Sequence, residues 1–384
     1  MTHLFPNYKR QSIEFVGGEK QHLFDREGNA YLDLTSGIGV MNLGYHHPVL
    51  NTALQTQAEQ IWHTPNLYEN SLQEEVGKLL ADGEDYLSYF CNSGAEANEA
   101  AIKLARKATG KKKIITFLQS FHGRTFGALS ATGQKSIHEG YYPLLPEFVY
   151  LPYNSIADLK EALDEETAAV MLELIQGEGG IIPAEKEWIA EVSQLCREKG
   201  ILLIIDEVQT GIGRTGSLYA FQQWGIQPDI FTLAKGLGNG FPVGAMVGKS
   251  TLASAFGSGS HGSTFGGNKL GMSVAKEVLQ WTRSPEFLSE VTEKGKKAIE
   301  YLSSRLIDTE NVRAVRGKGL MIGIELASPE CLEKAIANLL DEKIVVLKAG
   351  NNVLRLLPPL TITQEELAFG IEKICQVLEE LENE

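Results

Sequence analysis

Short apolar runs alternating with longer amphipathic stretches fill the middle of this 384-residue chain. Ile201-Leu202-Leu203-Ile204-Ile205 ends on Asp206, and Ile230-Phe231-Thr232-Leu233-Ala234 ends on Lys235. Lys113-Ile114-Ile115-Thr116-Phe117 and Ala168-Ala169-Val170-Met171-Leu172 have the same character. Each run is bounded by polar residues or glycine, which predicts strands buried on both faces of a parallel sheet. Residues 185–199 carry the periodicity of an amphipathic helix. The alternation from about 86 to 234 therefore predicts βαβ units. Open α/β sheets bind ligands at the carboxyl ends of their strands. Asp206 and Lys235 are both delivered to that edge.

The flanks read differently. His22-Leu23-Phe24-Asp25 and 30–34 surround the turn Arg26-Glu27-Gly28-Asn29 and predict a hairpin. The glycine-rich 36–40 reads as flexible and in close contact with something. His46-His47-Pro48 opens a helix to about Gln60. Adjacent histidines diverge on a helix, which favours a helix start over a metal pair. Residues 72–110 read as helix, strand, helix. Two long helices over 269–310 break at Ser284-Pro285. Strands at 320–325, 344–346 and 353–357 follow, with helices to about 340 and from about Thr363. The expected organisation is an N-terminal arm and part of a small domain at 1–45, a large domain at 46–284 and a C-terminal small domain at 285–384.

Composition narrows the class. The chain is 43% hydrophobic and 22% charged, as in a globular protein, with a net charge of −14. That acidity argues against a nucleic-acid or anionic-membrane partner. Cys91, Cys196, Cys331 and Cys375 are scattered, without a C-x-x-C pair, and read as reduced thiols of a cytoplasmic protein. No basic-then-apolar leader and no run of about 18 apolar residues is present.

The chemistry-bearing residues are individually modest. A lysine and a carboxylate at one sheet edge suit pyridoxal phosphate (PLP), the lysine forming a Schiff base and the aspartate holding the pyridine nitrogen protonated. The alternative is a plain ion pair. Ser93-Gly94-Ala95-Glu96 is a capping box. Its small residues Gly94 and Ala95 would also let a phosphate approach the helix N-terminus. Phe121-His122-Gly123-Arg124 offers a ring for stacking and a guanidinium for a carboxylate, or is an exposed loop. Glu178, between glycines, is either a loop tip or a site residue. Gly211-Ile212-Gly213-Arg214-Thr215-Gly216 matches G-x-G-x-x-G but does not follow its strand directly, so it reads as a pocket-shaping loop rather than a dinucleotide site. Ser263 and Thr264 could donate to a phosphate. Arg355 sits inside an apolar strand and needs an anionic partner, structural or substrate.

The order of these motifs is distinctive. Ser-Gly-Ala-Glu-Ala-Asn-Glu, Phe-His-Gly-Arg-Thr, Gln-Gly-Glu-Gly-Gly, Asp-Glu-Val-Gln-Thr-Gly-x-Gly-Arg-Thr-Gly, Ala-Lys-Gly-Leu-Gly-Asn-Gly and Ser-Thr-Phe-Gly-Gly-Asn follow one another. From about residue 20 to 360 the chain resembles the class III (ω-) aminotransferases, which are fold-type I PLP enzymes. The resemblance implies an α/β fold, with a mostly parallel sheet of the seven-stranded type in a large domain and a smaller α+β domain drawn from both termini. It implies Lys235 as Schiff-base lysine and proton shuttle and Asp206 as partner of the pyridine nitrogen. Gln209 would touch the phenolic oxygen, Phe121 would stack on the ring, and Gly94 and Ala95 would cradle the phosphate. Glu207 and Val208 fall within the same cofactor-binding turn. Thr264 would reach the phosphate of a neighbouring subunit, which implies a homodimer with shared sites. Arg124 would take a substrate α-carboxylate, with Ser263 on the substrate side. Glu178 and Arg355 would form a switch pair that opens for a dicarboxylate. Ile38 stands where some members carry a tyrosine that grips a free amino acid, which favours an acylated donor, N-acetylornithine, with 2-oxoglutarate as acceptor and glutamate as product. Tyr45 and Gly39 depart from the histidine and alanine common there. Other ω-amine donors and an aminomutase remain alternatives.

Overall fold

The computed structural model describes residues 3–381. Met1, Thr2 and residues 382–384, the outer ends of the two expected terminal segments, lie outside the described residues. Strands β1 (Phe15–Glu19), β2 (His22–Asp25) and β3 (Ala30–Asp33) form an antiparallel meander. The Asp25 carboxylate closes the expected turn by accepting from Asn29 N and Asn29 Nδ2, both at 2.8 Å.

Seven further strands make the large sheet: β4 (Tyr86–Cys91), β5 (Lys113–Phe117), β6 (Phe148–Leu151), β7 (Thr167–Leu172), β8 (Leu202–Asp206), β9 (Ile230–Leu233) and β10 (Gly244–Lys249). Their order is β4-β10-β9-β8-β7-β5-β6. The pairs β8–β9, β8–β7, β5–β7 and β5–β6 are parallel, while β10 runs antiparallel to both β9 and β4. Residues 148–151 and 244–249 were not expected as strands. Phe-Val-Tyr-Leu is a partly exposed edge, and Gly-Ala-Met-Val-Gly-Lys carries glycines that disfavour a strand in isolation. Gly244 is required there, because a Cβ would come within 2.4 Å of Ser93 O.

Helices α2 (Ser71–Ala81), α3 (Gly94–Thr109) and α4 (Lys186–Lys199) pack on this sheet, and α5 (Lys269–Thr282) packs against α2 and α1 (Pro48–Gln60). The paired histidines before α1 diverge. His46 bonds the Asn51 side chain, and His47 lies edge-on to Trp281. In α3 the apolar positions Ala97, Ala101, Ile102, Leu104 and Ala105 are buried. Small residues on that face let the helix lie close on the sheet.

A second apolar core joins both ends of the chain. Leu32 and Leu34 share this core with α6 (Pro285–Arg305), β11 (Val312–Lys318), β12 (Met321–Leu326), α7 (Pro329–Asp341), β13 (Ile344–Val345), β15 (Val353–Leu356) and α8 (Gln364–Glu380), while the apolar side chains of β14 (Leu347–Ala349) belong to the first core. β13 pairs in parallel with β3, and β11-β12-β15-β14 form an antiparallel sheet. β11 was not foreseen, since Val-Arg-Ala-Val-Arg-Gly-Lys is too polar to read as a buried run. Ser284 caps α6 through Phe287 N at 3.3 Å, with Pro285 in its first turn, as the break predicts.

Ile205 is fully buried one residue before Asp206. Ile205→Ala is expected to lower stability by roughly 2–5 kcal/mol, read as a lower denaturant midpoint at unchanged m-value.

Candidate active site

Parallel pairing places Asp206 opposite Thr232. The chain then leaves β9 and turns at Lys235, whose φ of +43° is unusual for a side chain of this size. A cavity of about 420 Å³ opens at this edge, within the range of small-molecule sites. It is lined by Lys235, Asp206, Val208, Gln209, Gly94, Ala95, Phe121, Arg124 and Glu178 among others. Residues scattered over more than a hundred positions thus meet in one place.

Asp206 is fixed on three sides. Oδ1 accepts from Val208 N at 3.0 Å, and Oδ2 accepts from Asn98 Nδ2 and bonds His122 Nδ1, both at 2.8 Å. Asn98 Oδ1 in turn accepts from Thr232 Oγ1 at 2.7 Å. The carboxylate is bound to groups other than Lys235, so the opening alternative of a lysine–aspartate ion pair is not realised among the described residues. Burial pushes the Lys235 amine down to about 8, with Glu178 opposing and Arg355 reinforcing the shift. Desolvation favours the neutral base.

The N-terminus of α3 carries the expected cap with one change. Ser93 Oγ accepts from Glu96 N at 3.2 Å, but the Glu96 carboxylate reaches Asn92 N at 2.6 Å. First-turn N–H groups have no acceptor within their helix, and Gly94 and Ala95 bring theirs to the cavity wall. A Cβ on Gly94 would sit 2.8 Å from Val208 Cγ1, so only glycine allows this packing. Arg124 lies with Cζ 5.7 Å from the Phe121 ring centre.

Arg355 Nη1 donates to Glu178 Oε1 at 2.5 Å and to Gln209 Oε1 at 3.3 Å. Its Nε has no acceptor among the described residues. Burial works to raise the Glu178 carboxyl, but Arg355 outweighs it and holds the group below its ordinary value. Three expected residues lie elsewhere. Glu207 turns away from the cavity: it is buried, accepts from Thr210 Oγ1 at 2.6 Å and Phe221 N at 2.9 Å, and is pushed up to about 7 by burial. The chain turns after β8 ends at Asp206, and in that turn Glu207 faces Thr210 and Phe221 while Val208 and Gln209 face the cavity. Ser263 and Thr264 line a separate cavity with Leu67 and Tyr89, although Asn92 Nδ2 reaches Ser263 Oγ at 3.3 Å.

The sequence marks His122 only as an imidazole of the Phe121–Arg124 loop and does not single out Asn98 or Glu173. Asn98 is one turn beyond Gly94, hence on the same helix face. Glu173 immediately follows β7, as Asp206 ends β8, so the strand-end rule that found Asp206 also points to it. Its oxygens accept from Phe121 N and Gly177 N, each at 3.0 Å. It therefore ties the loop of the ring to the loop of Glu178. Burial raises its carboxyl, and nearby His122 opposes this.

A buried amine, an immobilised carboxylate, an open helix N-terminus and an aromatic side chain around one cavity define an enzyme that works through a phosphorylated aldehyde cofactor. Residues 6–378 match the family Aminotransferase class-III, and the chain belongs to that family. It is 56% identical over 380 residues to the acetylornithine aminotransferase of Streptococcus mutans, covering 99% of this chain and 100% of that protein. It is 51% identical to that of Bacillus subtilis, covering 98% of each. The ornithine aminotransferase of Toxoplasma gondii superposes with a TM-score of 0.95 at 30% identity, covering 99% of this chain and 93% of that one. The N-acetylornithine aminotransferase of Stenotrophomonas maltophilia gives 0.82 at 33%, covering 96% of each. The chain is thus a PLP-dependent transferase with the fold expected of that class.

Below about 8 the Lys235 amine is protonated, and above it the amine is neutral and nucleophilic. When apoprotein is mixed with pyridoxal phosphate, the rate at which lysine-bound cofactor absorbance appears should rise with pH and level off above about 8. A midpoint at the ordinary lysine value of 10.5 would contradict the burial argument.

Proposed function

We propose that this chain is an acetylornithine 5-transaminase of arginine biosynthesis, converting N-acetylornithine and 2-oxoglutarate to N-acetylglutamate 5-semialdehyde and glutamate. The full-length likeness to acetylornithine aminotransferases at 51–56% identity carries this reading. Ile38, two residues before the cavity-lining Val40 and near where some members of the family carry a tyrosine that grips a free amino acid, supports it.

The residues divide the work. Gly94 and Ala95 would hold the cofactor phosphate at the α3 N-terminus, Phe121 would stack on its ring, and Gln209 and Asp206 would take its phenolic oxygen and ring nitrogen, with Val208 on the same cavity wall. Bound there, PLP supplies an aldehyde that takes up an amine and a ring that spreads the negative charge left by a departing proton. Asp206 favours that charge by keeping a proton on the nitrogen. His122 and Asn98 hold Asp206 in place. Lys235 Nζ, increasingly neutral as the pH passes about 8, takes the proton from the δ-carbon of the donor and later returns one. Arg124, facing the cavity mouth, takes the α-carboxylate and so fixes how far the distal amine reaches. Glu178 neutralises Arg355 while the donor is bound. A dicarboxylate competes for Arg355 in the second half, because a second carboxylate matches the guanidinium fork.

A homodimer fits the surface beside the second cavity. Leu67 is 89% and Tyr68 70% exposed, and Trp62 and Phe265 are also open to solvent. Apolar side chains clustered in this way mark protein contacts. Ser263 and Thr264 stand at this face, where a second copy's phosphate site would receive Thr264. Among the described residues no helix is long and apolar enough to cross a membrane.

With 2-oxoglutarate present, N-acetylornithine should be turned over faster than ornithine, 4-aminobutyrate or N-succinyl-diaminopimelate, and a faster rival would sink the assignment. Amine-dependent consumption of 2-oxoglutarate also separates this reaction from an aminomutase. Lys235→Ala should reduce kcat by about 10³-fold or more. Sedimentation should give a dimer that Leu67→Asp with Tyr68→Asp weakens, with loss of cofactor retention. A fully active monomer would refute the shared site.

A further inference from the structure

The loop that leads into α5 holds five glycines between residues 257 and 267. A free segment of this composition samples many conformations. Its second half is nevertheless pinned by side-chain amides from the start of α2 and the residues before it. Asn66 Nδ2 donates to Ser263 O at 3.1 Å and to Gly266 O at 2.9 Å. Asn70 Nδ2 donates to Gly267 O at 3.1 Å. Gln73 Nε2 donates to the same carbonyl at 2.9 Å and to Asn66 Oδ1 at 2.8 Å, which joins the amides to one another. At Gly267 φ is +75°, and a Cβ there would come 2.3 Å from Gln73 Nε2, so glycine permits both the turn and the close approach. The turn is also closed from within, where Ser263 Oγ accepts from Gly266 N at 2.9 Å and from Asn92 Nδ2 at 3.3 Å.

Fixed points therefore lie on both sides of Thr264 and Phe265, and these two residues are exposed between them. Backbone carbonyls of an exposed loop can be satisfied by water. Four amide donations to them point to a loop whose shape matters, not only its solvation. Asn66, Gln73, Ser263 and Thr264 line the second cavity, apart from Lys235 and Asp206. The exposed Leu67 and Tyr68 lie between Asn66 and Asn70. One short segment thus carries both the apolar face that a second copy would cover and the amides that shape the loop.

We propose that Asn66, Asn70 and Gln73 are positioning residues for the active site of the partner subunit: they hold Thr264 ready to meet the phosphate of the cofactor bound there. This deepens the shared-site reading and rests on it. With the loop already ordered, the phosphate is met without the entropy loss of ordering it on binding.

The test uses dimers and pyridoxal phosphate, with binding read from the lysine-bound cofactor absorbance. In the homodimer of the double variant Asn66→Ala with Gln73→Met, the Kd for pyridoxal phosphate should rise about tenfold, equivalent to about 1.4 kcal/mol. Mixed dimers purified through two different tags then show which site is affected. One subunit carries Lys235→Ala with its amides intact, and the other carries the double variant with its Lys235 intact. All lysine-bound absorbance comes from the second subunit, whose cofactor receives Thr264 from the first. Its Kd should return to that of the mixed dimer of Lys235→Ala with wild type, although the subunit that binds the cofactor is the altered one. A general loss of structure would stay with the altered subunit, so a Kd still raised in the mixed dimer would overturn the proposal. An unchanged Kd in the double-variant homodimer would overturn it as well. If the double variant does not fold, Gln73→Met alone, which keeps the side-chain length, should give a smaller rise with the same rescue. A wild-type monomer that retains cofactor, or a Thr264→Ala homodimer with unchanged Kd, would instead refute the shared site itself, and the proposal with it.

Discussion

Holding a primary amine away from water, without a permanent partner, is the constraint around which this molecule is arranged. Burial disfavours the ammonium form of Lys235 by more than the charges of Glu178, Asp206 and Glu173 restore it. Asp206 is bound to Asn98, His122 and the Val208 amide. Glu178 is bound to Arg355. Each acid near the lysine therefore has other partners. The amine becomes neutral and reactive above about 8, and Arg355 holds the Glu178 carboxyl below its ordinary value.

That arrangement requires a rigid frame. Strands β8 and β9 fix the bases of the two groups in register, and the interior of the sheet is apolar and close-packed. Side chains outside the sheet then set the loops. Glu173 joins the Phe121 loop to the Gly177–Glu178 loop through two backbone amides. Arg214 joins the N-terminal turn, the glycine loop and the segments flanking β12 and β15. Both are buried charged residues whose partners are mostly backbone, which is how a fold fixes loop positions without a large loop core. The cavity lies where these supports converge.

Much of this was readable in the chain. The runs ending in Asp206 and Lys235, the capping motif at Ser93 and the break at Ser284-Pro285 each express a local rule, and local rules act within a few residues. The strands at 148–151, 244–249 and 312–318 were not readable. The glycine-rich 244–249 and the polar 312–318 become strands only because a neighbour supplies the pairing partner, while the apolar 148–151 is only four residues long and partly exposed. The segment 36–39 read as flexible because glycines allow many conformations. Only the contacts of Ser36, Asn42 and Arg214 select the left-handed one.

The sequence by itself determined the chemistry: which residues carry an amine, a carboxylate, an aromatic ring and an anion-binding helix start, and in what order they occur. Order and type survive without coordinates because they are covalent facts. The tertiary structure decided which of them share a cavity. It turned Glu207 away, set Ser263 and Thr264 on another face, and brought in Asn98, His122 and Glu173. It also made Arg214, in a loop that resembles a dinucleotide motif, a buried junction. Such outcomes depend on packing between segments far apart in the chain, and no local pattern encodes the distance between them.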